Sequence, residues 1–131
     1  MNKITKSNFK KLVLVLTLTL VMTLGMSISV FAAKGSVNGY ITTGSSTITS
    51  TTATASTTYE KRTGSISVDS TYSYVNVYTL TTGTSTKSKG YYTSVKLDFS
   101  APYNCHSVRI KSSHKVVAYG QTWTANTSAT Y

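Results

Sequence analysis

The sequence predicts an all-β protein, a small antiparallel β-sandwich of about seven to eight strands behind an N-terminal export signal. Three observations lead there. Beyond residue 32, apolar and polar residues alternate with a period of two and no window carries a convincing helical stripe. Ser and Thr supply 38 of the 99 residues from 33 to 131, alongside all ten tyrosines, and Thr, Tyr and Val suit a pleated, half-buried surface. Short turn signals recur at the spacing of a sandwich or small barrel. A disordered Ser/Thr-rich stalk competes for this composition. Stalks, however, lack aromatic and branched apolar residues and use proline, which occurs here once, at Pro102.

The export signal comes first along the chain. Lys3, Lys6, Lys10 and Lys11 precede any acidic residue, Leu12 to Val30 is largely apolar, and Val30-Phe31-Ala32 ends the segment. A positive start, an apolar middle and small residues at a cut site are the three parts of a secretory signal. The expected cut follows Ala32, because a cut after Ala33 puts bulky Phe31 where a small residue is wanted. This assigns 1–32 to the signal and 33–131 to a single secreted, extracellular domain. A retained membrane anchor is the alternative, since Leu12–Phe31 is about 20 residues long and a bilayer needs about that many. The lysine-rich start and extended apolar stretch resemble the signals of Gram-positive bacteria.

Processing changes the charge balance. The whole chain carries 13 basic and 3 acidic residues. Removing the four leader lysines leaves nine cations against Glu60, Asp69 and Asp98, a net charge of +6. Cys105 is the single cysteine, so no internal disulfide is available. Packing and strand pairing must hold the domain together, and Cys105 itself reads as a small apolar strand residue or a free or interchain thiol.

Strands are expected at 36–43, 47–59, 65–69, 72–81, 90–100, 105–111, 114–119 and 122–130. Turn signals separate most of them: Thr43-Gly44-Ser45, Arg62-Thr63-Gly64, Thr82-Gly83-Thr84, Ala101-Pro102-Tyr103-Asn104 and Gly120-Gln121. Residues 82–90 read as the longest, most mobile loop. Two hairpins can be registered. A connection at 101–104 sets Ser100 opposite Cys105, pairing Phe99 with His106, Leu97 with Val108 and Val95 with Ile110 on an apolar face. A type II′ turn at Gly120-Gln121 sets Ala118 opposite Trp123 and Val116 opposite Ala125, with Trp123 as a core anchor.

Catalytic chemistry finds little support. Cys105 and His106 are neighbours on a strand and so point to opposite faces, and three carboxylates are few for a paired acid and base. His106 reads as a core histidine and His114 as a turn residue. No zinc-type spacing or acidic calcium loop occurs. The expectation is a non-enzyme with no cofactor and no metal.

The polar face of the first registered hairpin is more suggestive. It gathers Lys96, Arg109 and Lys111, with Tyr92 nearby. Such a cluster on a basic domain attracts anionic partners, here an anionic cell-wall polymer, a glycan or a membrane surface. Solvated strand lysines that discourage edge-to-edge aggregation are the plain alternative. No recognition helix or basic–aromatic signature points to nucleic acid as the main partner. The Thr-rich run Ile48-Thr49-Ser50-Thr51-Thr52-Ala53-Thr54-Ala55 resembles the Thr ladders of ice-binding proteins over one strand only. Small size, export, Gly/Ser/Tyr richness and an aromatic-containing end from Trp123 to Tyr131 resemble the lactococcin-type bacteriocins, which implies an antibacterial toxin as the second functional reading.

Overall fold

The computed structural model describes residues 30–91 and 93–131; the expected signal up to residue 29, and Tyr92, lie outside the described residues. Eight strands follow one another: β1 Val30–Val37, β2 Tyr40–Ile48, β3 Thr52–Tyr59, β4 Ser65–Asn76, β5 Thr82–Tyr91, β6 Ser94–Ser100, β7 Cys105–Ala118 and β8 Gln121–Thr130. They make two four-stranded antiparallel sheets, sheet A in the order β1-β2-β3-β6 and sheet B in the order β5-β4-β7-β8. The two sheets stack as a β-sandwich, as the alternation predicts.

Two tight hairpins use the same device. Asn38-Gly39 joins β1 to β2 and Tyr119-Gly120 joins β7 to β8, with φ of 50° and 79°, and of 51° and 72°. Positive φ at both central residues is the type I′ turn, whose twist matches that of the flanking strands. The β7–β8 turn is therefore centred one residue earlier than expected and is not type II′. Ala118 faces Gln121 and Val116 faces Trp123. This differs from the expected register by two residues, so the faces are preserved. Trp123 does pack on the core, half-buried over Gly35, where an added Cβ would lie 2.1 Å from its Nε1.

The first expected hairpin does not form. β6 pairs with β3 in sheet A, whereas β7 pairs with β4 and β8 in sheet B. Residues 101–104 cross between the sheets, with Asn104 at φ 60°. The facing of β7 also changes partway along. At the break in register, Ser73 faces Arg109 while Tyr74 faces Ser107, leaving Val108 as the extra residue of a β-bulge. Cys105 and Ser107 thus point inward before the bulge, and Ile110, Ser112, His114, Val116 and Ala118 after it. His106 and Val108, expected on the apolar face, are exposed. His114, expected at a turn, lies within the 14-residue β7 with none of its surface exposed. Residues 82–90, expected as a loop, form most of the edge strand β5.

The core is layered. Toward one end Ile48, Tyr72, Phe99 and Ile110 pack together, the Tyr72 and Phe99 rings 5.5 Å apart. Toward the other lie Val37, Tyr59, Ile66, Val116 and Ala118. Between them runs a buried polar belt. Thr57 Oγ1 meets His114 Nδ1 at 2.7 Å, and His114 Nε2 meets Thr127 Oγ1 at 2.7 Å. Thr127 reaches Ser46 at 2.6 Å, and Ser46 and Ser70 both donate to Ser112, at 2.8 and 2.9 Å.

Proton counting orients this chain, because each hydroxyl has one proton to give. Ser46 spends its proton on Ser112, so Thr127 donates to Ser46. His114 Nε2–H then donates to Thr127, and Nδ1 accepts from Thr57. The Ser67 carbonyl, 3.3 Å from Thr57 Oγ1, is the weaker branch. A neutral imidazole completes the belt, and burial pushes the His114 pKa down to about 4. Gly44 leaves room for the ring, since a Cβ there would lie 2.5 Å from its Cγ.

Two stability predictions follow. The His114 pKa is 6.5 when unperturbed and about 4 in the fold. The unfolded chain therefore binds the extra proton between those values. Its contribution to stability is complete above pH 6.5 and falls by roughly 2–3 kcal/mol as the pH drops to 4. Urea denaturation across that window should show this slope, and His114→Gln should flatten it. Thr42 is fully buried, and its hydroxyl is the one buried side-chain polar atom without a partner among the described residues. Thr42→Val removes that hydroxyl at nearly constant volume and should stabilise the fold by about 1 kcal/mol, read from the same denaturation curves.

Candidate functional site

β7 is an interior strand of sheet B, and its outward face is set by its inward one. With Ile110, Ser112, His114 and Val116 held in the core, Arg109, Lys111, Ser113 and Lys115 stand outward in a row. Alternate residues on a strand are spaced about 6.6 Å apart, so three cations lie along one line. On the neighbouring strands the same rungs carry Ser73, Thr71, Asp69 and Ser67 of β4, and Thr130, Ser128, Asn126 and Thr124 of β8.

A shallow, open depression of about 610 Å³ crosses this face at the level of Lys111. Asp69, Thr71 and Thr86 line it from β4 and β5, Lys111 and Ser113 from β7, and Asn126 and Ser128 from β8. Phe31, 53% exposed on β1, forms one wall. The surface is thus rich in hydroxyls and contains one cation and one carboxylate, with Arg109 and Lys115 beyond it along β7. Such groups offer hydrogen bonds to polyols and charge to phosphate or carboxylate. The one imidazole with a shifted pKa, His114, faces the core, where threonine hydroxyls occupy both nitrogens.

The structure divides the cluster expected from sequence. Arg109 and Lys111 stand together on β7. Lys96 lies on β6, the edge of sheet A, facing Ser56 of β3 and not Arg109. There its Nζ is 3.0 Å from Asp98 Oδ1, the only ion pair among the described residues. Donation by Lys96, and then by Thr54 at 2.9 Å, holds the Asp98 carboxyl below its usual pKa. Lys96 is thus already partnered, on a different sheet from Arg109. Tyr92 is outside the described residues. Lys115, absent from the expected cluster, belongs to the row. Its signal was the unbroken alternation from Arg109 to Lys115, which reading a turn at His114 interrupts.

Fold and surface together define a small all-β sandwich with a cationic, hydroxyl-rich sheet face. Comparison with protein-family models, with curated proteins and with solved structures finds no match.

The redrawn site makes a direct prediction. Lys111→Glu should weaken binding of a polyanion such as heparin or polyphosphate several-fold in a retention or titration assay, whereas Lys96→Ala should change it less than twofold, consistent with the small value of an exposed ion pair.

Proposed function

We propose that the protein is a secreted, non-enzymatic, cationic β-sandwich that binds an anionic or glycan component of a cell envelope or surface through the outer face of sheet B. One observation carries the reading: Arg109, Lys111 and Lys115 form a row on an interior strand, with no ion-pair partner among the described residues. Lysines that protect a sheet from edge pairing belong on edge strands. That explanation suits Lys87 and Lys89 on β5, but not β7, which is paired on both sides.

Cations in a line favour an extended polymer with repeating negative charges over a compact anion. The hydroxyls of Thr71, Ser113 and Ser128 and the amide of Asn126 supply hydrogen bonds to a polyol or sugar backbone, while the cations engage its phosphates or carboxylates. Secretion places such a domain where wall polymers are exposed, and the basic leader with its long apolar stretch supports that location. A bacteriocin-like toxin is the second reading, favoured by the resemblance in size, export and C-terminal composition. Killing of a susceptible Gram-positive strain by the purified mature chain is its test.

Exposed charges are screened within about 8 Å at physiological ionic strength. Retention of the mature chain on purified cell walls should therefore fall steeply with added salt. Arg109→Glu with Lys111→Glu should lower the affinity by roughly tenfold or more, equivalent to at least about 1.4 kcal/mol. Salt-independent retention, or full retention by the double variant, would refute the proposal.

A further inference from the structure

The charges on the outer face of sheet B stand in a definite order. Along β7 the outward positions are Arg109, Lys111, Ser113 and Lys115, and the rungs pair them with Ser73, Thr71, Asp69 and Ser67 of β4. Along the strand the face therefore runs positive, positive, negative, positive. The negative rung crosses the sheet through Ser88, Asp69, Ser113 and Asn126. Its one charge is the exposed carboxylate of Asp69. Lys111 and Lys115 stand one rung to either side, diagonal to Asp69, where long side chains can still reach. Neither pairs with it: the one ion pair among the described residues joins Lys96 to Asp98. Asp69 instead lines the open depression together with Lys111, Ser113 and Asn126. A row that serves only to attract a polyanion gains nothing from an unpaired carboxylate in its middle, since that group repels the charges its neighbours attract.

The spacing of the row narrows the ligand further. Two residues of extended strand cover six backbone bonds and roughly 6.6 Å. A 1,3-linked glycerol phosphate unit also covers six bonds from one phosphorus to the next, so its phosphates fall in step with alternate residues of β7. Phosphodiesters lie within the polymer chain and keep their charges on its axis, as Arg109, Lys111 and Lys115 keep theirs on one strand. Carboxylates of a uronate polymer hang from bulky rings and turn from side to side. Single-stranded nucleic acid shares the six-bond repeat. It has no aliphatic amine for Asp69, however, and its bases stack on aromatic side chains, whereas these rungs of β4, β7 and β8 carry no aromatic residue.

The geometry points to a polyol phosphate of the glycerol type that carries primary amines on some of its repeats, with Asp69 as the residue that reads the amine. On the sheet B reading, which this assignment presupposes, the phosphates engage Arg109, Lys111 and Lys115. At the third rung the Asn126 amide and the Ser113 hydroxyl donate to a phosphate, and an ammonium group on the adjoining polyol bridges that phosphate to Asp69.

Titration of the exported chain with soluble polymers of equal phosphate number tests the assignment. The probes are a glycerol phosphate polymer partly esterified with an amino acid, the same polymer after alkaline removal of the esters, a ribitol phosphate polymer and single-stranded DNA. Esterification lowers the polymer's net charge, so simple attraction to a polyanion predicts weaker binding of the esterified form. The expected result is the reverse, tighter binding of the esterified polymer. Asp69→Asn should weaken that binding about threefold and strengthen binding of the bare polymer about threefold, the scale of one exposed ion pair. Asp69→Glu keeps the carboxylate and should keep the preference, and both substitutions should leave the thermal midpoint unchanged. Asp69→Asn strengthening both glycerol polymers alike would overturn the assignment and leave the sheet B reading intact. So would DNA, or the ribitol polymer with its longer eight-bond repeat, binding as tightly as the esterified polymer. Binding of none of the polymers would refute the sheet B reading itself, and the assignment with it.

Discussion

The buried belt from Thr57 through His114, Thr127, Ser46 and Ser112 to Ser70 is the constraint on which the rest of the structure depends. Its bonds run both across and between the sheets, since Thr57 and Ser46 belong to sheet A and the other members to sheet B. A hydroxyl left unpaired in this interior costs on the order of 1–3 kcal/mol. Sliding one sheet over the other by a single rung would strand several at once. Apolar side chains alone tolerate rearrangement far better, so the belt supplies register that the aliphatic layers do not. A chain with one cysteine, buried in β7, has no internal disulfide to do so.

The same constraint reaches the outer surface. Because His114 and Ser112 must face inward, Ser113, Lys115 and Lys111 must face outward, and the basic row is the reverse side of the belt. The bulge at Val108 then decides where the row begins. Under strict alternation from the inward-facing Cys105, Arg109 would also point into the core. One extra residue shifts the phase, so Val108 and Arg109 are both exposed and Ile110 is buried. Bulges commonly re-aim side chains near functional surfaces, and here the effect is to extend a lysine row by an arginine.

How much of this was legible in the sequence varied with how local the determining physics is. The strand class was legible because alternation is a property of each strand by itself. Most strands were found, and both hairpin turns carry a visible glycine. Asn38-Gly39 was nevertheless read through as strand, although Asn-Gly between β-formers is a strong hairpin signal. β5 was missed for a physical reason: as an edge strand it exposes nearly every residue, so Thr82–Gly90 shows no apolar period. The pairing of β6 with β7 failed differently. A four-residue connection serves either a hairpin or a crossing between sheets, and faces of similar polarity do not distinguish the two. What decides is the partner each strand finds far along the chain, Ala53 and Ala55 of β3 for Phe99 and Leu97. Of the expected site, the Arg109–Lys111 pair lies within one strand and was legible, whereas adding Lys96 required a long-range pairing that local pattern does not encode.

The expected cut after Ala32 falls within β1. The strand begins at Val30, so a cut after Ala32 would remove three of its eight rungs, those facing Thr47, Ser46 and Ser45. The remaining five still include the type I′ hairpin and the buried Val37, which anchor β1 by its turn end. Gly35 beneath Trp123 also survives. The cut would, however, take away Phe31, the one large apolar wall of the sheet B depression. β1 packs beside β8, so Phe31 stands at the β8 edge of the depression. In the mature chain the hydroxyl floor would extend to that edge, with Asn126 and Ser128 at its margin. On the proposed reading, a cut there would open the side of the site along which an extended ligand would enter.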